Sequence, residues 1–226
     1  MTVTETILSE LRKDNKRFFA CDNISNYLTS SRLSQLEDEL TGKFAEVLKT
    51  LIIDIENDPN SKDTPRRLAK MYLKEIFSGR YQPQPKATAF PNEGDDKYTG
   101  MIVVRVEIKS VCAHHHQEIS GIAYIGVIPN GKVLGLSKYI RIAQWVARRG
   151  QLQEELTNQI ANKIKLVAQT ENVAVHIRAQ HGCCTNRGIM AHDSTTQTTV
   201  LYGEFKESDV KKEFFDNINF QHLGNR

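Results

Sequence analysis

Two short segments hold side chains whose types and spacing could do chemistry: Cys112-Ala113-His114-His115-His116 and, further along the chain, His181-Gly182-Cys183. Together they offer two thiolates and an imidazole. Cysteine and neutral histidine are the preferred zinc ligands, and three protein ligands leave a fourth position open for water. Zinc lowers the pKa of such a water toward neutrality, which makes a nucleophile available at ordinary pH. His181 and Cys183 stand at i and i+2, so a strand there predicts both side chains on one face. A closed structural site is the alternative, with His116 or Cys184 as a fourth ligand.

A second segment, Gly135-Leu136-Ser137-Lys138-Tyr139-Ile140-Arg141, has the look of a helix start. Ser137 is expected as the N-cap, with Lys138 and Arg141 at i, i+3 on the first turn. Cations there oppose the helix dipole, which makes sense where a bound anion meets exposed amides and positive side chains. An ordinary amphipathic helix with solvated charges is the competing explanation. Arg67 and Arg187 are two further candidate phosphate cations. In Gln151-Leu152-Gln153-Glu154-Glu155-Leu156-Thr157, the Glu154 carboxylate could accept hydrogen bonds from guanine N1–H and the 2-amino group, a pair adenine does not offer. A glutamate in a first helical turn also suits the dipole with no ligand at all.

Positioning these groups takes a folded domain, and the composition supplies one. The chain has 226 residues, 39% hydrophobic and 25% charged, with 30 Lys+Arg against 27 Asp+Glu for a net charge of +3. That balance excludes a disordered chain. No apolar run approaches the roughly 20 residues that span a bilayer. Without a Lys/Arg block, nucleic-acid binding is not expected. Four cysteines in this length are too few for a disulfide scaffold. The N-terminal segment lacks the basic-then-apolar order of a secretory signal, so a reducing, cytoplasmic location is expected.

Apolar spacing predicts a helix over 31–55, stopped by Asn57-Asp58-Pro59-Asn60, and a second from Asp63-Thr64-Pro65 to Ser78-Gly79. The stretch 82–94, with Pro83, Pro85 and Pro91, reads as a loop. Alternation predicts strands over 101–110 and 121–128, the latter closed by Pro129-Asn130-Gly131 in a hairpin. Helices over 137–149 and 151–169 follow, then strands over 172–179 and 195–205 and a last helix over 208–219. The order ββααββ implies an α+β fold, an antiparallel sheet with helices on one face. A helical extension over 1–60 and a catalytic domain over 61–226 are expected.

The ordered set Asp63-Thr64-Pro65-x-Arg67-x-Ala69-Lys70-Met71-Tyr72, Cys112-x-His114-His115, Gly135-Leu136-Ser137-Lys138-x-x-Arg141, Gln151-x-Gln153-Glu154-x-Leu156-Thr157 and His181-x-Cys183-x-x-x-Arg187-Gly188 resembles the zinc-dependent GTP cyclohydrolase I family. The resemblance runs from about Asp58 to the C-terminus, with order and spacing kept. It implies conversion of GTP and water to formate and 7,8-dihydroneopterin triphosphate. Hydration at guanine C8, imidazole opening, loss of formate, an Amadori-type rearrangement of the ribose and pyrazine closure make up that reaction. By matching position, Cys112, His115 and Cys183 are implied as Zn2+ ligands and His114 and His181 as proton-transfer residues, with Ser137 assisting near the sugar. Glu154 is implied as the guanine anchor, Gln153 as a further substrate-binding residue, and Arg67, Lys138, Arg141 and Arg187 as the triphosphate grip. The family fold is the tunnelling fold (T-fold). Its subunits join their sheets into a ring and two rings stack as a homodecamer, with active sites between subunits.

One segment departs from the family pattern. Ala113 stands where Glu is usual, and His116 where an apolar residue is common, followed by Gln117 and Glu118. Loss of a carboxylate beside a metal can cost roughly 10–100-fold in affinity or activity. Two alternatives follow: a nucleotide-binding regulatory paralogue, or a variant cyclohydrolase that prefers dGTP or stops after ring opening or formate release.

Overall fold

The computed structural model describes residues 1–223, with side chains to residue 219. It divides into two compact units, Met1–Pro83 and the chain from Gln84 onward.

The N-terminal unit is helical. Helix α1 (Val3–Lys13) opens on a capping box in which Thr2 and Glu5 satisfy each other's backbone N–H. Helix α2 (Ser30–Thr50) stops short of the expected residue 55. Leu51 and Ile52 are exposed and bury nothing, Ile52 takes a positive φ of 60°, and the Asp54 carboxylate then accepts the Glu56 and Asn57 amides. Helix α3 (Thr64–Met71) carries Pro65 in its first turn and runs into a π-helical turn, Tyr72–Ile76, before the short α4 (Ser78–Tyr81). The Phe77 amide reaches back five residues to the Tyr72 carbonyl, so the helix expected to run unbroken to Gly79 is widened there.

The second unit is built on a five-stranded sheet. Its strands are β2 (Ile102–Cys112), β3 (Glu118–Val127), β5 (Gly150–Gln151), β6 (Val173–His181) and β7 (Thr196–Leu201), in the order β5-β2-β3-β6-β7. All neighbours are antiparallel except the two-residue β5, which pairs parallel to β2 through Val111↔Gly150 and Cys112↔Gln151. The stretch expected to be loop contains β1 (Ala89–Pro91), which pairs with β4 (Lys132–Leu134). Three residues are too few to show a period. The hairpin also turns elsewhere than expected: β2 and β3 are joined through residues 113–117, the histidine segment, while Pro129-Asn130-Gly131 leads into β4.

Helices α5 (Leu136–Ala147) and α6 (Gln153–Ala168) cover one sheet face. Tyr139, Ile142, Ala143 and Val146 recur at helical spacing along α5, as do Leu156, Ile160 and Ile164 along α6, against Val106, Ile108, Ile125 and Ile177 of the strands. Each Val, Leu or Ile among them contributes about 1.5–3 kcal/mol on burial. The C-terminal helix α8 (Ser208–Leu223) packs Phe214 and Ile218, with Phe205, against Tyr124 and Ala174 on part of the opposite face. Gly121 of β3 lies so close to β6 that a Cβ would strike the Arg178 carbonyl oxygen and the Ala179 Cα. No helix among the described residues is long and apolar enough to cross a membrane.

Candidate active site

Antiparallel pairing puts the C-terminal ends of β2 and β6 at the same edge, with β3 between them. Cys112 ends β2 on the face covered by the helices and is buried. The turn after it is closed by Cys112 N–H donating to the Gln117 carbonyl and His116 N–H to the Cys112 carbonyl, both at 2.9 Å. His116 pays for that turn with a left-handed backbone, φ 51°. His115, exposed in the turn, brings its imidazole over the strand end. Cys183 arrives from β6, but not along a strand. The strand stops at His181, and Gly182–Thr185 forms a helical turn, α7. Period-two alternation therefore fails at Gly182, and the Cys183 thiol reaches the site from the turn. Donor atoms of Cys112, His115 and Cys183 all lie within 4.8 Å of one another. Two thiols and an imidazole at that separation fit a metal ion. Burial, with hydrogen bonds to Cys184 and Cys112, pushes the Cys183 thiol up to about 11. An incoming metal must displace that proton, so loading weakens as pH falls. Cys184 Sγ is 3.9 Å from Cys183 Sγ and stands outside the cluster.

His181 ends β6 with its ring toward the helix-covered face, where Gln153 opens α6. His181 Nε2 lies 2.7 Å from Gln153 Oε1. The Gln153 amide nitrogen donates to the Ile177 and Thr196 carbonyls and to Thr198 Oγ1, at 3.3, 3.1 and 3.1 Å. Flipping the amide would set its oxygen against two carbonyl oxygens. Its orientation is therefore determined, and since an amide oxygen only accepts, Nε2 of His181 must carry the proton. Neutral His181 is left with Nδ1 as its basic nitrogen. Burial holds its pKa below the ordinary histidine value, opposed by the nearby Glu154 carboxylate.

Gln153 is 1% exposed. Its side-chain amide, expected on the substrate, is spent inside the protein; Thr157 donates to the Gln153 main-chain carbonyl at 2.7 Å and meets Thr198, an acceptor of that amide, at 2.6 Å. Thr157 and Thr198 escaped the sequence-based site; the i, i+4 spacing of Gln153 and Thr157 on one helix was the available signal. Glu154 is exposed in the first turn of α6. His114 and Arg187 are exposed on the flanking turns.

The other expected site residues are carried by α5 and, in the N-terminal unit, by α3. Ser137 is not the N-cap: Gly135 occupies that position, with no side-chain cap, and Ser137 sits one residue inside the helix. Ser137, Lys138 and Arg141 belong to the first turns of α5. From Lys138 and from Arg141 the helix still rises about 14 Å and about 9 Å, at 1.5 Å per residue, before Gly150 and Gln151 meet the end of β2. The protomer thus separates these cations from the Cys–His–Cys cluster. Arg67 is exposed on α3 of the N-terminal unit, its guanidinium 3.7 Å from the Asp63 carboxylate.

A family model described as GTP cyclohydrolase I matches residues 40–219. The chain belongs to the GTP cyclohydrolase I family. The match begins within α2, earlier than the motifs alone suggest. GTP cyclohydrolase 1 of Aeromonas salmonicida is 42% identical over 187 residues, covering 81% of this chain and 84% of its own. That of Aeromonas hydrophila is 43% identical with the same coverage, and that of Flavobacterium johnsoniae is 42% identical over 174 residues, 76% of this chain and 77% of its own. Among solved structures, an archaeosine synthase QueF-Like in the apo form is similar over 44% of this chain and 90% of its own, with a TM-score of 0.36 and 19% identity. GTP cyclohydrolase I membership makes the α+β sheet a T-fold and the chain a hydrolase.

Proposed function

We propose that this chain converts GTP and water to formate and 7,8-dihydroneopterin triphosphate, with Zn2+ held by Cys112, His115 and Cys183. The observation that carries this reading is the convergence of those three donors beside a histidine of defined tautomer in a GTP cyclohydrolase I chain. The metal, when bound, supplies a Lewis acid that lowers the pKa of water. His181, holding its Nε2 proton on Gln153, exchanges protons with the substrate through Nδ1, and His114 serves as the second proton-transfer residue. Gln153 acts through His181 and not on the nucleotide. Glu154 accepts from guanine N1–H and the 2-amino group.

Ser137, Lys138 and Arg141 serve the sugar and triphosphate from a neighbouring subunit, with Arg67 and Arg187 completing the grip. The displacement of Ser137, Lys138 and Arg141 from the metal donors along α5 supports an active site shared between subunits. Among the described residues the sheet's outer strands β5 and β7 each pair on one side only, which leaves edges for joining sheets into a ring and, by ring stacking, a homodecamer. Four free cysteines suit a reducing, cytoplasmic setting.

The deciding experiment incubates purified, zinc-loaded protein with GTP and with dGTP and measures formate and, after oxidation, fluorescent neopterin. Both products from GTP are expected, and their loss on chelation. Formate alone would mark an enzyme that stops early, and neither product a regulatory binder.

The guanine anchor has its own test. Glu154→Gln replaces an acceptor with a group that presents a donor to guanine. GTP affinity measured by calorimetry is expected to fall by about 10–100-fold, the loss of a charge-assisted pair, with bound zinc unchanged. Unaltered affinity would remove Glu154 from that role.

A further inference from the structure

Cys184 takes no part in the site described above, yet it shares one short helical turn with a metal donor. That turn, Gly182–Thr185, is tied down along its length. Thr185 Oγ1 donates to the His181 carbonyl at 3.2 Å, Asn186 N–H to the Gly182 carbonyl at 3.0 Å, and Ala191 N–H to the Cys184 carbonyl at 2.8 Å. Within it the sulfurs of Cys183 and Cys184 lie 3.9 Å apart. Both thiols are free and half-buried, whereas Cys112 is 4% exposed. Cys184 stands outside the group formed by Cys112, His115 and Cys183. A metal held by those three coordinates the first thiol of the pair and leaves the second one uncommitted. An uncommitted, accessible thiol beside a second sulfur is the arrangement in which oxidation proceeds to a disulfide.

We propose that Cys184 is a site of reversible oxidation by peroxide, through which the chain gives up its metal. The peroxide O–O bond breaks as one oxygen joins the Cys184 sulfur, giving a sulfenic acid and one water. The Cys183 thiolate then attacks that sulfur. The S–O bond breaks, and the hydroxide that leaves takes up a proton to become a second water. Two sulfurs have lost two electrons and the peroxide has gained them. Cys183 ends as a neutral disulfide sulfur, and since thiolate is the ligand form, the ion is left with Cys112 and His115 and dissociates. Neighbouring Cα atoms are about 3.8 Å apart, closer than the roughly 4.4–6.8 Å usual across a disulfide. The bridge is therefore strained and yields readily to a thiol reductant, which makes the change reversible. The metal loss rests on the ligand set proposed above; the disulfide does not.

The test treats zinc-loaded, full-length protein with hydrogen peroxide, blocks the remaining thiols with iodoacetamide and digests with trypsin. Cleavage after Arg178 and Arg187 puts both cysteines on one peptide, residues 179–187. That peptide is expected to be unalkylated and lighter than its reduced form by two hydrogens. Zinc should pass to a chromogenic chelator in step with it, and dithiothreitol with fresh zinc should reverse both changes. Cys184→Ser should hold the parent's zinc before treatment and release it about tenfold more slowly or less under peroxide. Cys184→Ala serves in its place should serine disturb the turn, and the mass of the parent peptide decides the disulfide without either variant. A peptide bearing Cys112 joined to residues 179–187, a fully alkylated 179–187 peptide, or zinc release as fast in the Cys184 variants as in the parent would each overturn the proposal. A parent that forms the bridge but never held zinc would remove the ligand set and keep Cys184 as the oxidised residue.

Discussion

Cys183→Ser is expected to strip the protein of its metal and its activity together. A serine hydroxyl in that helical turn has nearly the shape of the thiol, and the backbone of Gly182–Thr185 does not depend on the sulfur. What is lost is the anionic sulfur donor, and the two remaining donors, Cys112 and His115, hold zinc weakly. Metal analysis of the purified variant should find close to none of the zinc that the parent retains. Formate release from GTP should drop by roughly three orders of magnitude or more, since water activation depends on the ion. Circular dichroism should be unchanged. A variant that keeps its full zinc would show that Cys183 is not a ligand, and Cys184, next along the same turn, would be the residue to examine.

Gln153→Leu is expected to lower kcat by about 100-fold, with KM for GTP little altered. Leucine fills the same space but accepts no hydrogen bond from His181, so the ring is free to rotate or to change tautomer. Misplacing a catalytic group by about 1 Å can cost a factor of that size. The substitution also abandons the Ile177 and Thr196 carbonyls and the Thr198 hydroxyl, and an unmet buried polar group costs about 1–3 kcal/mol. A lower Tm is therefore part of the expected result. Thr198→Val separates the two effects, because it removes one acceptor of the amide and leaves the contact with His181. It should lower Tm while largely sparing kcat. If Gln153 touched the nucleotide instead, KM would rise and kcat would hold. Steady-state kinetics with zinc content matched between proteins reads the difference.

The Cys–His–Cys cluster was legible in the sequence because it depends on residue type and short spacing. Cys112, His115 and Cys183 could be grouped from two motifs, and the structure brings their donor atoms together. How each reaches the site was less legible. Alternation from β6 carried through Gly182 would leave Cys183 on a strand, yet the chain coils at that glycine. Ser137 is a good N-cap by type, but the helix starts earlier, at a glycine with no side chain to cap it. The hairpin turn was expected at Pro129-Asn130-Gly131, whose composition favours turns. The chain instead reverses through the histidines, where His116 adopts a backbone that its type disfavours. The hydrogen bonding of Gln153 was out of reach, since its partners Ile177, Thr196 and Thr198 lie on two strands distant in sequence. Only the pairing of β6 with β7 brings them under α6.

Gly121 bears on how an unfolded chain regains activity. With no side chain it lets β3 settle against the backbone of Arg178 and Ala179, and the same ladder sets Ile119 opposite His181. A slip of one residue would turn His181 to the other face of the sheet, away from Gln153. Such a chain would regain most of its strand signal on refolding and still be inactive. Recovery of this protein from denaturant is therefore properly followed by product formation, because strand content would return equally in molecules whose His181 faces away from Gln153.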